Sequence, residues 1–345
     1  MKKTISFEEV KEYKPQKKRF FSATGEEIVQ GLTTDIYFLK TKRILEEVGK
    51  GRTVVAAEVF ARRGGVFAGL DELQLLLEGT GVELWALAEG EEFEANEPVL
   101  HIKGKYNAFG LYETPLLGIL ASSSGWATAT RECVEAAGGK PVLCFGARHV
   151  HPAVAPAMER IAIKAGATAA SCVLGAKLAG KEPSGTVPHA LFLIIGDSVE
   201  AARAYDEIMP PDSPRTILID TFKDEAEEAL RVAEALGERL EGIRLDTPSE
   251  RGGVTADLVK EVRFRLDAAG FNHVKIFASG GLYPEKIREL STAGVDAFGV
   301  GSYISGAKPI DMTMDIKEVD GKPVAKRGRL PGLRLNPRLR YLGKL

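Results

Sequence analysis

Several stretches of the chain put polar or glycine residues directly after a short apolar run, where a barrel strand delivers groups to a site. FGARHVHP carries Arg148, His149 and His151, LIDTF ends in Asp220 and Thr221, and GIRLDTP holds Arg244 and Asp246. GTVPHA places Thr186 and His189 after a Gly-Thr turn, and two runs close on glycines, SGG with Ser279, Gly280 and Gly281, and GVGS with Gly299 and Gly301. Arg148 suits planar, two-pronged recognition of a carboxylate, although it could equally close a surface ion pair. The two aspartates could hold sugar hydroxyls or a hydrated magnesium ion, or each could cap the helix that follows. Glycines let backbone N–H groups approach an anion such as phosphate. A lone His189 fits a structural hydrogen bond as well as chemistry, and the His-x-His pair lacks the further ligands of a metal site. No Ser-His-Asp or Cys-His arrangement stands out, so acyl-transfer chemistry is not indicated.

Parallel β-α-β units account for this spacing. PVLCFGA, ATAAS, RTILID, GIRLD, VKIFASGG and DAFGVGS are short apolar runs separated by helical patterns. Buried runs alternating with helices predict a parallel sheet, closed as an α/β barrel. A doubly wound sheet would carry its phosphate glycines in the first turn, whereas here they fall late, where barrels bind phosphate after their last two strands. PEKIRELSTAG joins those two strands, with Pro284 at its first turn and Gly294 beyond its end. Before residue 125 the pattern is mixed. TVVAAEVFARR and EPVLHIKG alternate like half-buried strands, and helices are expected over residues 31–48, from a Thr33-Thr34-Asp35 cap, and 70–79.

The chain has 345 residues, 46 Lys and Arg against 48 Asp and Glu, and 44% hydrophobic residues, an ordinary globular balance that excludes disordered, fibrous and wholly nucleic-acid-coating classes. Three cysteines at long spacings with no C-x-x-C argue against a disulfide scaffold. The longest apolar run, residues 190–195, is far too short for a membrane span, and a cytoplasmic protein is expected. Residues 317–344 hold nine Lys or Arg against Glu318 and Asp320. This basic tail is read as a strand-and-loop segment packed on the first domain, with an RNA-docking arm as the alternative.

In order along the chain, GLTTDIYF, NEPVLHIKG, LYETPLLGIL, FGARHVHP, SGTVPHAL, LIDTF, GIRLDTPSE, FASGGLYPEKI, GVGSYIS and GKPVAKRGRLPG together resemble nicotinate phosphoribosyltransferase, in its shorter archaeal or bacterial form. The resemblance implies an irregular, TIM-like α/β barrel with an N-terminal α/β sandwich domain completed by the C-terminal tail. Its boundaries are set at 1–125 for the sandwich, 126–305 for the catalytic barrel and 306–345 for the tail. It implies transfer of phosphoribose from phosphoribosyl pyrophosphate to nicotinate, with Mg2+, with ATP as co-substrate, and in a homodimer or an oligomer built from dimers. By the same resemblance Tyr37 would cover the ring from a partner chain, and Arg148 would face the ring and its carboxylate. Arg244, Asp246 and Asp220 would contact substrate and ribose, and Ser279, Gly280, Gly281, Gly299 and Gly301 the phosphate, with Thr186 beside them. His189 would be the histidine phosphorylated by ATP. His149 stands where many members have Arg, Thr247-Pro248-Ser249 replaces Ser-Gly-Asp, and with Cys172 as the last cysteine no zinc knuckle is expected. Lys40, Arg43, Arg62, Arg63, Lys326 and Arg327 are candidates for the diphosphate. Residues 167–178 contain no acid to accept from an amide, which favours nicotinate over nicotinamide. Quinolinate, with two carboxylates, would need a denser cationic cluster than Arg148 with Lys164 as a possible neighbour, and stands second. A non-catalytic phosphate-binding barrel is the reading from another class.

Overall fold

The computed structural model describes residues 4–16 and 19–345. It divides into two compact units, Met1–Thr128 with Lys308–Leu345, and Ala129–Ala307. The architecture is a TIM-like α/β barrel plus an N-terminal α/β sandwich that the C-terminal tail completes.

In the first unit a six-stranded sheet runs in the order Lys322–Pro323, Met312–Val319, Val54–Ala61, Pro98–Lys105, Glu83–Ala86 and Arg340–Lys344, with every pairing antiparallel. Alternate residues Val55, Ala57, Val59 and Ala61 join the core with Leu84, Leu100, Ile102 and Met314. The helix Leu70–Leu77 closes that layer with Leu70, Leu73, Leu76 and Leu77, a spacing that puts all four on one face. The half-buried expectation fails for Val54–Ala61, because its other face is covered as well: Arg329 and Arg334 of the tail each stand 5.0 Å from the Phe60 ring. The expected helix over 31–48 begins instead at Ile36. Gly31 takes φ +81°, and the Asp35 carboxylate accepts from Thr114 Oγ1 at 2.9 Å rather than capping its own helix.

Six of the tail's basic side chains are answered inside the unit. Arg334 Nε donates to Glu58 at 2.8 Å, Lys326 and Arg329 pair with Asp315, Arg338 with Glu97 and Arg340 with Glu91. Buried Lys317 donates to the Leu330 carbonyl.

The second unit carries a six-stranded parallel sheet in the order Ala169–Ala170, Val142–Cys144, Ala297–Val300, Lys275–Ala278, Gly242–Leu245 and Thr216–Leu218. The two edge strands are not paired with each other among the described residues, so the barrel is a curled half-barrel. The helix Glu225–Leu236 buries Ala226, Ala229, Val232, Ala233 and Leu236, and starts where the Asp224 carboxylate accepts from Ala226 N. The helix Pro284–Ala293 has its proline in the first turn and ends at Gly294, φ +110°. No helix is long and apolar enough to cross a membrane among the described residues.

Candidate active site

Because all six strands run the same way, their C-terminal ends open on one edge of the sheet, and the polar strand ends converge there. Arg244 is the hub. Its Nε donates to Ser279 Oγ at 2.8 Å, one terminal nitrogen to Thr186 Oγ1 at 2.8 Å, and the other to Asp246 Oδ2 at 3.0 Å. Ser279 Oγ donates in turn to Asp246 Oδ1 at 2.8 Å. The guanidinium carbon stands 5.3 Å from the centre of the Phe145 ring, a cation–π distance. Every arm of Arg244 is therefore engaged within the protein, and it organises the site as much as it can bind.

Phe145 went unmarked in sequence because it reads as the end of an apolar run. Its ring occupies the space beside Gly299, where an added Cβ would lie 2.5 Å from it, and it neighbours Phe277 at 6.0 Å. Gly299 thus sits inside the strand Ala297–Val300 and makes room for an aromatic ring. Gly301 does the same for His149: an added Cβ would come within 2.8 Å of the imidazole Cε1 and 3.1 Å of the Phe145 carbonyl.

Arg148 lies in the 3-10 turn Ala147–His149, exposed and with no side-chain partner among the described residues. His149 in the same turn, and His151 just beyond it, are also exposed, and His151 Nδ1 accepts from Ala153 N at 3.2 Å. The turn and the residues just after it thus present one uncommitted guanidinium and two imidazoles without a carboxylate partner among the described residues.

Asp220 follows the strand Thr216–Leu218 with its side chain 1% exposed. One oxygen meets His189 Nε2 at 3.2 Å, and the other is buried without a partner. Burial pushes this carboxyl above its ordinary range, with His189 opposing the shift. A buried acceptor left open beside a strand end is one that a substrate hydroxyl can satisfy. Gly280, φ +88°, and Gly281, φ +61°, follow the strand Lys275–Ala278, and consecutive left-handed glycines leave their N–H groups unpaired among the described residues. Such a concave turn is suited to phosphate.

In the first unit, Tyr37 is 55% exposed on the helix Ile36–Glu47, its ring 4.3 Å from Phe38. Of the basic diphosphate candidates, Arg43 pairs with Glu8 and Glu47, Arg63 donates to the Lys308 carbonyl and Lys326 pairs with Asp315. No group of three His, Cys, Asp or Glu among the described residues could cage a metal ion.

A parallel half-barrel whose strand ends carry an uncommitted arginine, a braced Arg-x-Asp, a buried aspartate with an open oxygen and a glycine turn is equipped for an acidic acceptor and a phosphorylated sugar. That the chain is a phosphoribosyltransferase is shown by two family models. The family model for the quinolinate phosphoribosyl transferase N-terminal domain matches residues 35–124, and that for its C-terminal domain matches residues 126–315. The chain belongs to the quinolinate phosphoribosyl transferase family. It is 49% identical to nicotinate-nucleotide pyrophosphorylase from Pyrococcus furiosus, a crystal structure that superposes with a TM-score of 0.88 over 92% of this chain and 82% of that one. It is 32% identical to the nicotinate phosphoribosyltransferase pncB1 of Mycobacterium tuberculosis, over 86% of this chain and 74% of the relative. It is 21% identical to a probable carboxylating nicotinate-nucleotide pyrophosphorylase of Methanothermobacter thermautotrophicus, over 77% of this chain and 89% of the relative.

These matches correct the expected family from nicotinate to quinolinate phosphoribosyltransferase, and the expected nicotinate activity falls with it. The physical reason lies in what the motifs encode. Strand-end Arg-x-Asp, SGG and GVGS read as phosphoribose contacts and Arg148 as the contact for one ring carboxylate, and none of these readings separates one pyridine acid from another. An acid-free stretch over residues 167–178 excludes an amide partner but not a second carboxylate. ATP as co-substrate falls with the same correction, and with it the phosphorylation of His189, since the quinolinate family works without ATP. His189 stands instead as the partner of Asp220.

Proposed function

We propose that this phosphoribosyltransferase takes quinolinate as its acceptor. The observation that carries the reading is the match of both quinolinate phosphoribosyl transferase family models along the chain. The turn at Arg148 supports it: His149 in the same turn and His151 just beyond it are exposed beside the arginine and can hydrogen-bond a second carboxylate.

The pyridine nitrogen carries its lone pair at neutral pH, so no general base is required for attack on C1 of phosphoribosyl pyrophosphate. The N–C1 bond forms as the C1–oxygen bond to diphosphate breaks. The ring nitrogen is then positive, and the bond to the neighbouring carboxyl breaks with its electron pair drawn toward that charge, releasing carbon dioxide. A proton from water replaces it and leaves the nicotinate nucleotide. Positive charge developing on the ribose ring is stabilised by Asp220 and Asp246. Arg148 holds a ring carboxylate, assisted by His149, while Gly280 and Gly281 N–H groups hold the 5′-phosphate beside Ser279.

Diphosphate release is measured with phosphoribosyl pyrophosphate, magnesium and one of quinolinate, nicotinate or nicotinamide, each with and without ATP. Carbon dioxide is counted from quinolinate labelled in the 2-carboxyl group. Quinolinate is expected to support release of both products with no response to ATP. Release with nicotinate alone would overturn the reading.

A further inference from the structure

Glu159 lies on the helix Ala155–Lys164 among Met158, Ile161 and Ala162, fully buried, an acid in an otherwise apolar face. Its carboxylate accepts from Ala147 N at 3.0 Å, from Ser171 Oγ at 3.1 Å and from Cys172 N at 2.5 Å. These donors sit just beyond two neighbouring parallel strands, Val142–Cys144 and Ala169–Ala170. Ala147 immediately precedes Arg148. The turn Ala147–His149 has one internal backbone bond, His149 N to the Gly146 carbonyl at 3.0 Å, and the Arg148 side chain has no partner of its own among the described residues. The aim of Arg148 therefore depends on how the backbone beneath it is held. Packing is close on both sides of the carboxylate. An added Cβ at Gly146 would lie 2.7 Å from Met158 Cε, and one at Gly175 would lie 3.0 Å from Glu159 Cβ.

We propose that Glu159 is a positioning residue for acceptor binding: its buried carboxylate ties the Arg148 turn to the Ser171–Cys172 turn and so holds the arginine toward the pyridine acid. The proposal rests on the reading of Arg148 as the acceptor's carboxylate ligand. Charged acceptors make stronger hydrogen bonds than neutral ones, and a small displacement of a binding group is costly to binding. Glu159→Gln keeps the shape but turns an amide N–H toward one of the donors. Its KM for quinolinate is expected to rise about tenfold or more, with the KM for phosphoribosyl pyrophosphate within about twofold of the parent. Ser171→Ala, which removes one donor and leaves the carboxylate in place, is expected to move the same KM in the same direction by less.

Amide hydrogen exchange supplies a readout independent of turnover. The Ala147 and Cys172 amides are expected to exchange about tenfold faster in Glu159→Gln, while that of Ile243, in a central strand, is unchanged. Equal rises in both KM values, or unchanged exchange at Ala147, would sink the proposal. Should Glu159→Gln not fold, Ser171→Ala decides by the same two measurements. An enzyme inert toward every pyridine acid would refute the acceptor assignment, and exchange at Ala147 would then still decide whether Glu159 holds the turn.

Discussion

At the scale of single residues, the two arginines of the mouth have different duties. Arg244 spends its nitrogens on Ser279, Thr186 and Asp246, whereas Arg148 has none engaged among the described residues. Arg148→Ala is expected to weaken the acceptor by about 2 to 4 kcal/mol, the cost of leaving a desolvated carboxylate unpaired. Steady-state kinetics should show that loss in the KM for quinolinate, and equal loss for both substrates would count against a carboxylate contact. On the proposed reading Asp220 stabilises the ribose as an anion; burial holds its carboxyl above the usual range, so activity should fall as pH drops through that raised value. The pH profile of kcat/KM checks this: the acid limb should vanish in Asp220→Asn, and an unchanged limb would assign it to another group. Arg148, Asp220, Arg244 and Asp246 were legible as polar ends of apolar runs. Phe145 and Glu159 were not, because one extends its strand's apolar pattern and the other hides within a helix whose remaining face is apolar.

At the scale of elements, the glycines of the last barrel strand are matched to their neighbours. Gly299→Ala drives a methyl into the Phe145 ring, and overpacking a buried strand costs about 1 to 3 kcal/mol. Thermal unfolding measures it, and an unchanged midpoint would mean that Phe145 moves aside freely. In the other unit, Glu113 begins the helix Glu113–Ala136, and burial, reinforced by Asp315 and Asp35 with Lys326 opposing, raises its carboxyl to about 7. A folded-state value above the unfolded one means that the folded protein binds the proton more tightly. The stabilising contribution is complete below the unfolded value of about 4.3 and is lost as pH rises toward 7. Glu113→Gln should therefore melt higher than the parent at pH 8 and lose that advantage below pH 5. A difference independent of pH would point to packing instead.

At the scale of the whole chain, the tail is part of the first unit's sheet. Its two ends supply strands at opposite edges, and between them Arg334 reaches the fully buried Glu58. Burial alone would push the Glu58 carboxyl up, but His101 at 3.6 Å and the bonds from Arg334 outweigh it and hold it well below the carboxylate range. A lowered folded-state value contributes stability above the unfolded value and loses it as pH falls. Arg334→Ala should cost about 3 kcal/mol at pH 7, because it strands a buried charge, and the deficit should shrink below about pH 4. Chemical denaturation at the two pH values tests the sign, and equal deficits would mean that Arg334 acts by packing on Phe60.

The sequence by itself determined the barrel and which polar residues stand at its strand ends, because short apolar runs ending in Arg, Asp or Gly encode both a buried parallel strand and what it delivers. It favoured packing of the basic tail on the first unit over an RNA-docking arm, since the tail lacks interleaved aromatics and the rest of the chain does not share its charge, and the sheet order places the tail there. Only the tertiary structure decided which cation is free, which glycines leave their N–H groups open and which make room for a neighbouring ring, and that strand Val54–Ala61 is covered on both faces. Those outcomes depend on residues far apart in the chain, such as Arg244 with Thr186, Gly299 with Phe145 and Glu58 with Arg334. Local pattern carries burial and period, and it carries no record of which distant side chain has already satisfied a charge.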